Sequence, residues 1–205
     1  LAKMDSEGFP YPIFLYSALL PWQFFSEALT RSSLSIVGSA RLITKVYFPR
    51  LIVPVSSVGA CLADFLIAFA ILFGLMLYYH MAPAPIFLLI VVLIPLTIMT
   101  SLGLGILISG LNATYRDFQY LVPFAIQIWM FLTPVLYPLS KIPEKWRWLI
   151  ILNPMTGLVE AYRSAILNKP VLWDYLAISI VVSTILFLFG LYFFRRMESR
   201  FADIV

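Results

Sequence analysis

Histidine and cysteine occur once each in this chain of 205 residues, and Asp, Glu, Lys and Arg together make up only 12% of it. A single cysteine excludes an intrachain disulfide, and one cysteine with one histidine cannot assemble the usual zinc ligand sets. There is no Gly-Lys pair, hence no G-x-x-x-x-G-K-[ST] phosphate loop, and no serine sits in a G-x-S-x-G elbow. Gly103 and Gly105 lie inside an apolar run and lack the third glycine of a dinucleotide fingerprint. The only acids and bases that could form a catalytic set, Glu144, Glu160 and Arg163, stand in a context that looks like a helical surface. Any energy source must therefore come from another chain or from an ion gradient.

What the chain has in abundance is hydrocarbon: 62% of residues are hydrophobic and the mean hydropathy is +0.96. A soluble domain is nearer half apolar and a quarter charged, so the bilayer is the expected solvent. Five apolar runs, at about 12–38, 52–79, 86–110, 119–138 and 173–194, are each long enough to cross ~30 Å of hydrocarbon as helices. They lack the alternation of barrel strands. The predicted fold is an all-α polytopic transmembrane bundle forming one domain. The net charge of +4 suggests no nucleic acid, because the basic residues sit at the ends of these runs, where they set topology. Placing 39–51, the turn at 111–118 and the tail RRMESRFADIV in the cytoplasm leaves 1–11, 80–85 and 139–172 outside. The vote is not unanimous: Lys141, Lys145, Arg147, Arg163 and Lys169 fall on the external side, partly offset by Glu144, Glu160 and Asp174.

Polar groups inside the runs are few. Glu27 precedes Arg31 by four residues, the spacing and order that favour an ion pair on one helical face. They line a polar passage or neutralise each other between helices. Asp64 has no opposite charge nearby in sequence and is expected to face the bundle interior. Ser101, Gly105 and Ser109 recur every fourth residue, as do Gly59 and Ala63, giving small-residue stripes for close helix packing or a dimer seam. The segment 139–172 holds apolar pieces too short to span. Asn153-Pro154 and Gly157 interrupt them, predicting two short helices that dip into the outer leaflet, with Trp146, Trp148, Tyr162 and Trp173 at interface depth.

The stretches LPWQFF, SARLITKVYFPRLIVP, LNATYRDFQYLVPF, TPVLYPLSKIPEKWRWLIILNPMTGLVEAYR and YFFRRMESRFADIV together resemble the membrane subunit of type-2 ABC polysaccharide exporters. That group moves O-antigen, capsule or teichoic acid polymers, usually attached to lipid, across the bacterial inner membrane. The resemblance implies a permease of six spans after an interfacial helix, of which this chain would lack that helix and the first span. It implies a homodimer bound to two copies of a separate subunit that holds ATP and Mg, with no cofactor in this chain. It also implies a coupling helix at 39–50, with Arg41, Lys45, Tyr47, Phe48, Pro49 and Arg50 as candidate contacts. A basic loop that merely sets topology would carry the same charges.

Within this frame Asn112, Tyr115, Arg116 and Asp117 mark a cytoplasmic break between the third and fourth spans. Asn112 is expected to satisfy the end of one helix and Asp117 to cap the next. Direct contact of this turn with the ATPase or with substrate phosphate is the alternative. On the external side, Phe131, Tyr137, Trp146 and Trp148 are candidates to stack on sugars or hold lipid. Asn153 and Pro154 would shape the exit, with Glu160 and Arg163 beside them. Export of a drug or small lipid, an intramembrane lipid-sugar transferase and a scaffold without transport activity are the competing functions.

Overall fold

The computed structural model describes residues 8–45, 48–115 and 117–198. Tyr47 and Arg116, both predicted site residues, lie outside the described residues. The chain forms α1 (Tyr11–Gly38), α2 (Ala40–Lys45), α3 (Ile52–Tyr78), a 3-10 turn (Pro85–Leu89) leading into α4 (Ile90–Thr114), and α5 (Phe118–Leu132). A second 3-10 turn (Leu139–Lys141) precedes α6 (Glu144–Ile151), α7 (Pro154–Leu167) and α8 (Trp173–Glu198). No strand occurs among the described residues.

Among the described residues, three segments are long and apolar enough to cross a membrane: Ile52–Tyr78, Pro85–Thr114 and Trp173–Glu198. Their outer faces carry Ile67, Leu77, Val91, Val92, Ile185 and Leu188, all exposed. Hydrocarbon on that scale suits lipid rather than water. α1 matches them in length with 28 residues, but most of its surface is buried because α3, α4 and α7 pack around it. α5 differs from the predicted run at 119–138. It ends at Leu132, and its 15 residues reach only about 22 Å. The cause is Pro134, which drives Thr133 into an extended conformation (φ −98°, ψ 138°). The apolar composition continues to 138 while the helix does not.

The core is assembled by small side chains that let backbones approach. At the crossing of α4 and α8, Gly103 and Gly190 face each other. A Cβ on Gly103 would come within 2.7 Å of the Phe187 Cα, and one on Gly190 would strike the Gly103 carbonyl oxygen. Thr100 Oγ1 donates to Ser183 Oγ at 2.7 Å along the same seam. The Ser101–Gly105–Ser109 stripe is buried within the protomer, where Gly105 receives Ser32 of α1. It serves the α1–α4 contact rather than a dimer seam. Gly59 of the other stripe has open space around it.

Candidate functional site

α1 carries Gln23 and its two charged residues, Glu27 and Arg31, on one stripe, spaced four apart so that they share a face. That face is not covered by its neighbours. It opens into two adjoining cavities of about 460 and 580 Å³, which share Trp22, Ser26 and Met130. α3 contributes Cys61, Asp64 and Phe65 to the first, and α5 contributes Tyr120, Phe124 and Gln127 to the second. Arg31 Nε donates to Glu27 Oε1 at 2.6 Å and Nη2 to Asp64 Oδ2 at 3.4 Å. Asp64 thus has a partner that lies 33 residues away in sequence and on a different helix. The three side chains remain 47%, 51% and 64% exposed (Arg31, Glu27, Asp64). Two carboxylates and one guanidinium so exposed at mid-helix are incompatible with hydrocarbon. The groove they share must face water, another chain or a polar cargo.

At the α2 end of the bundle, Arg41 and Lys45 are exposed on α2. Pro49 follows, exposed, and Phe48 packs against an apolar cluster of Ile36, Val53, Ile106, Ala113 and Phe194. These five come from α1, α3, α4 and α8, so Phe48 packs onto a cluster drawn from four helices. Arg50 Nη1 donates to the Glu198 carbonyl, tying the same segment to the end of α8. Asn112 departs from its expected role. It is buried, and its Nδ2 donates to the Ser33 carbonyl of α1 at 3.0 Å, fastening two helices together instead of closing its own. Asp117 occupies the N-cap of α5 but has helical dihedrals, and its side chain makes no capping bond. Tyr115 is 61% exposed and breaks the helix with an extended backbone.

The other end is tied together by side-chain hydrogen bonds. Asn153 caps α7, accepting from the Met155 amide at 3.0 Å, while its Nδ2 donates to Thr133 Oγ1 at 2.8 Å. Pro154 fits the first helical turn, where no amide donor is needed. The Gly157 amide donates to Ser179 Oγ of α8 at 3.1 Å. Arg163, expected on a helical surface, is 2% exposed. Its Nη1 donates to Glu160 at 2.5 Å, its Nη2 to the carbonyls of Pro134 and Val135 at 2.9 and 3.1 Å, and its guanidinium lies over Phe14 at 4.2 Å. Those carbonyls belong to the irregular chain just after α5, so the arginine ties down the segment where the helix has ended. Tyr137 Oη donates to the Phe131 carbonyl at 2.9 Å. Phe131, Trp146 and Trp148 are 60%, 51% and 62% exposed, and α6 presents its two tryptophans outward.

The family model for ABC-2 type transporters matches residues 2–167. The chain belongs to the ABC-2 type transporter family. It is 31% identical over 196 residues to the O-antigen export system permease protein RfbA of Klebsiella pneumoniae, covering 95% of this chain and 76% of that protein. It is 36% identical over 158 residues to the protein of the same name from Myxococcus xanthus, covering 75% and 60%. It is 28% identical over 197 residues to the polysialic acid transport protein KpsM of Escherichia coli, covering 92% and 74%.

As an ABC-2 transporter this chain is a multi-pass membrane protein and a membrane subunit for transport. The predicted intramembrane polar residues Glu27, Arg31 and Asp64 come together in one ABC-2 groove, while the predicted aromatics are spread between α5 and α6. Trp22, Gln23, Ser26, Tyr120, Phe124 and Gln127 line the groove and were not singled out from sequence. Gln23 was within reach, since it extends the Glu27–Arg31 spacing by one more step of four. Nothing local marks the α5 residues, which face the groove only because α5 packs beside α1.

Proposed function

We propose that this chain is the permease subunit of an ATP-driven exporter of lipid-linked polysaccharide, of the O-antigen, capsule or teichoic acid type, in the bacterial inner membrane. The observation that carries this reading is the similarity along 95% of the chain to a permease named for O-antigen export. The groove suits such a cargo: Tyr120 and Phe124, exposed on its α5 wall, offer faces for sugar rings, and Gln23, Ser26 and the carboxylates offer hydrogen bonds. ATP and Mg belong to a separate subunit that seats on the α2 end, which is the cytoplasmic one. Two permeases pair so that their grooves bound the passage. Closure of the ATP-binding subunits pushes α2, and Phe48 and Arg50 convey the displacement to α1, α3, α4 and α8. The push does work only because it stabilises one packing of these helices over another.

Co-expression of the permease with its ATP-binding subunit, followed by pull-down and an ATP-dependent export assay, tests the reading. Absence of a complex, or a complex that hydrolyses ATP without moving glycan, would end it. Reversing charge with R41E/K45E is expected to lower permease-stimulated ATP hydrolysis about tenfold or more, since like charges across an interface cost several kcal/mol. Stimulation unchanged by that variant removes α2 from the contact. W146A/W148A is expected to reduce export roughly fivefold to tenfold, on the scale of lost aromatic stacking, while membrane insertion is retained. Undiminished export takes both rings off the path.

A further inference from the structure

The helices that wall the groove are almost free of charge. Over their whole lengths α1 carries only Glu27 and Arg31, α3 only Asp64, and α5 no charged residue. Two carboxylates therefore stand against one guanidinium, and none of the three helices holds a lysine. Glu27 and Asp64 both line the cavity of about 460 Å³. Arg31 lies between them, its Nε on Glu27 at 2.6 Å and its Nη2 on Asp64 at 3.4 Å. An anion that approached this guanidinium would meet a carboxylate on either side. Both carboxylates are more than half exposed, so they present oxygen to whatever fills the groove. The neighbouring lining is neutral: amides from Gln23 and Gln127, the Ser26 hydroxyl, and the exposed rings of Tyr120 and Phe124.

A neutral glycan finds partners here. Its hydroxyls donate to carboxylates and exchange hydrogen bonds with amides, and the apolar faces of its rings pack on aromatics. A polymer with a carboxylate or a phosphodiester in every repeat meets like charge instead. Apolar walls strengthen that repulsion, because a cleft of low dielectric focuses the field of the charges in it. Charged rings in channels select permeating ions by sign in the same way. The phosphate of a lipid carrier passes the carboxylates once, whereas an acidic repeat passes them at every step. We infer that Glu27 and Asp64 are specificity-determining residues that restrict the groove to glycans with an uncharged repeating unit. The assignment rests on the reading of the groove as the export passage given under Proposed function, and it narrows the cargo named there.

The test uses proteoliposomes of the permease with its ATP-binding subunit and two polyprenyl-linked oligosaccharides of equal length. One is built of neutral hexoses and the other has a hexuronic acid in every repeat. Each bears a terminal fluorophore, and its ATP-dependent protection from an external quencher measures transport. The parent complex is expected to move the neutral glycan about tenfold faster than the acidic one, the scale of like-charge discrimination. E27Q/D64N should bring that ratio to about twofold or less, and R31Q, which leaves both carboxylates without their cation, should widen it. A purely structural role would lower both rates together and leave the ratio alone. E27Q/R31Q/D64N, neutral throughout, serves should the double variant not assemble, with the same loss of discrimination. Equal rates in the parent, or a ratio unmoved by the neutralising variants, overturn the inference alone. Transport of neither glycan by a complex that hydrolyses ATP overturns the export reading and the inference with it, so the two failures are told apart.

Discussion

Leucine at Gly190 is expected to abolish the folded protomer, and leucine at Gly103 to do nearly as much. At both positions the obstruction is backbone: the Gly103 carbonyl in one case, the Phe187 Cα in the other. A flexible side chain can swing aside, but two helix backbones can only separate. Separation also breaks the Thr100–Ser183 hydrogen bond and opens the longest seam of α8. Overpacking in a well-filled core costs about 1–3 kcal/mol even where side chains give way. Here the loss should exceed that and reach the whole folding free energy, which is of order 5–15 kcal/mol for a domain. Fluorescence-detected gel filtration in detergent reads the result: aggregated material for Gly190→Leu, a monodisperse peak for Gly74→Leu, where the added side chain meets open space. A monodisperse, parent-like melt for Gly190→Leu would show that α4 and α8 do not cross at these glycines.

Arg163→Met is expected to be the most damaging change to a charged residue. It removes the donors to Glu160 and to the carbonyls of Pro134 and Val135 and leaves a carboxylate almost enclosed, 12% exposed. Breaking one side of a buried pair costs about 3–5 kcal/mol. Removing both charges as R163M/E160Q should recover part of the loss, because the carboxylate deprived of Arg163 is neutralised while the two carbonyls lose their donor. Thermal denaturation of the purified variants checks the order: parent most stable, double variant next, R163M least. Equal melting of R163M and the parent would mean that the break after α5 is held by something else.

Most of the architecture was legible because hydropathy and helix length are local properties. α1 and α3 begin and end within one residue of the predicted runs, whereas α4 and α8 each run about four residues further at the C-terminal end. The division of 139–172 into α6 and α7 at Asn153-Pro154 followed from what proline does to the residue before it. α5 was overextended because TPVLYP is as apolar as a helix and hydropathy senses composition, not backbone geometry. Asn112 was misassigned for a different reason. Its partner, Ser33, lies 79 residues away, and no rule of helix termini refers to it. Arg163 looked superficial because arginine usually is. Its burial is accompanied by hydrogen bonds to the carbonyls of Pro134 and Val135, 29 and 28 residues earlier.

α5 is anchored unlike every other long helix. Only Val122 and Ile126 are buried, it leans mainly on α1 and α4, and irregular chain bounds it at both ends. Pro123 also deletes one of its backbone hydrogen bonds. The remainder of the bundle is locked by glycine crossings and by Arg163. A widening of the groove at α5 therefore disturbs fewer buried side chains than one at α1 or α4.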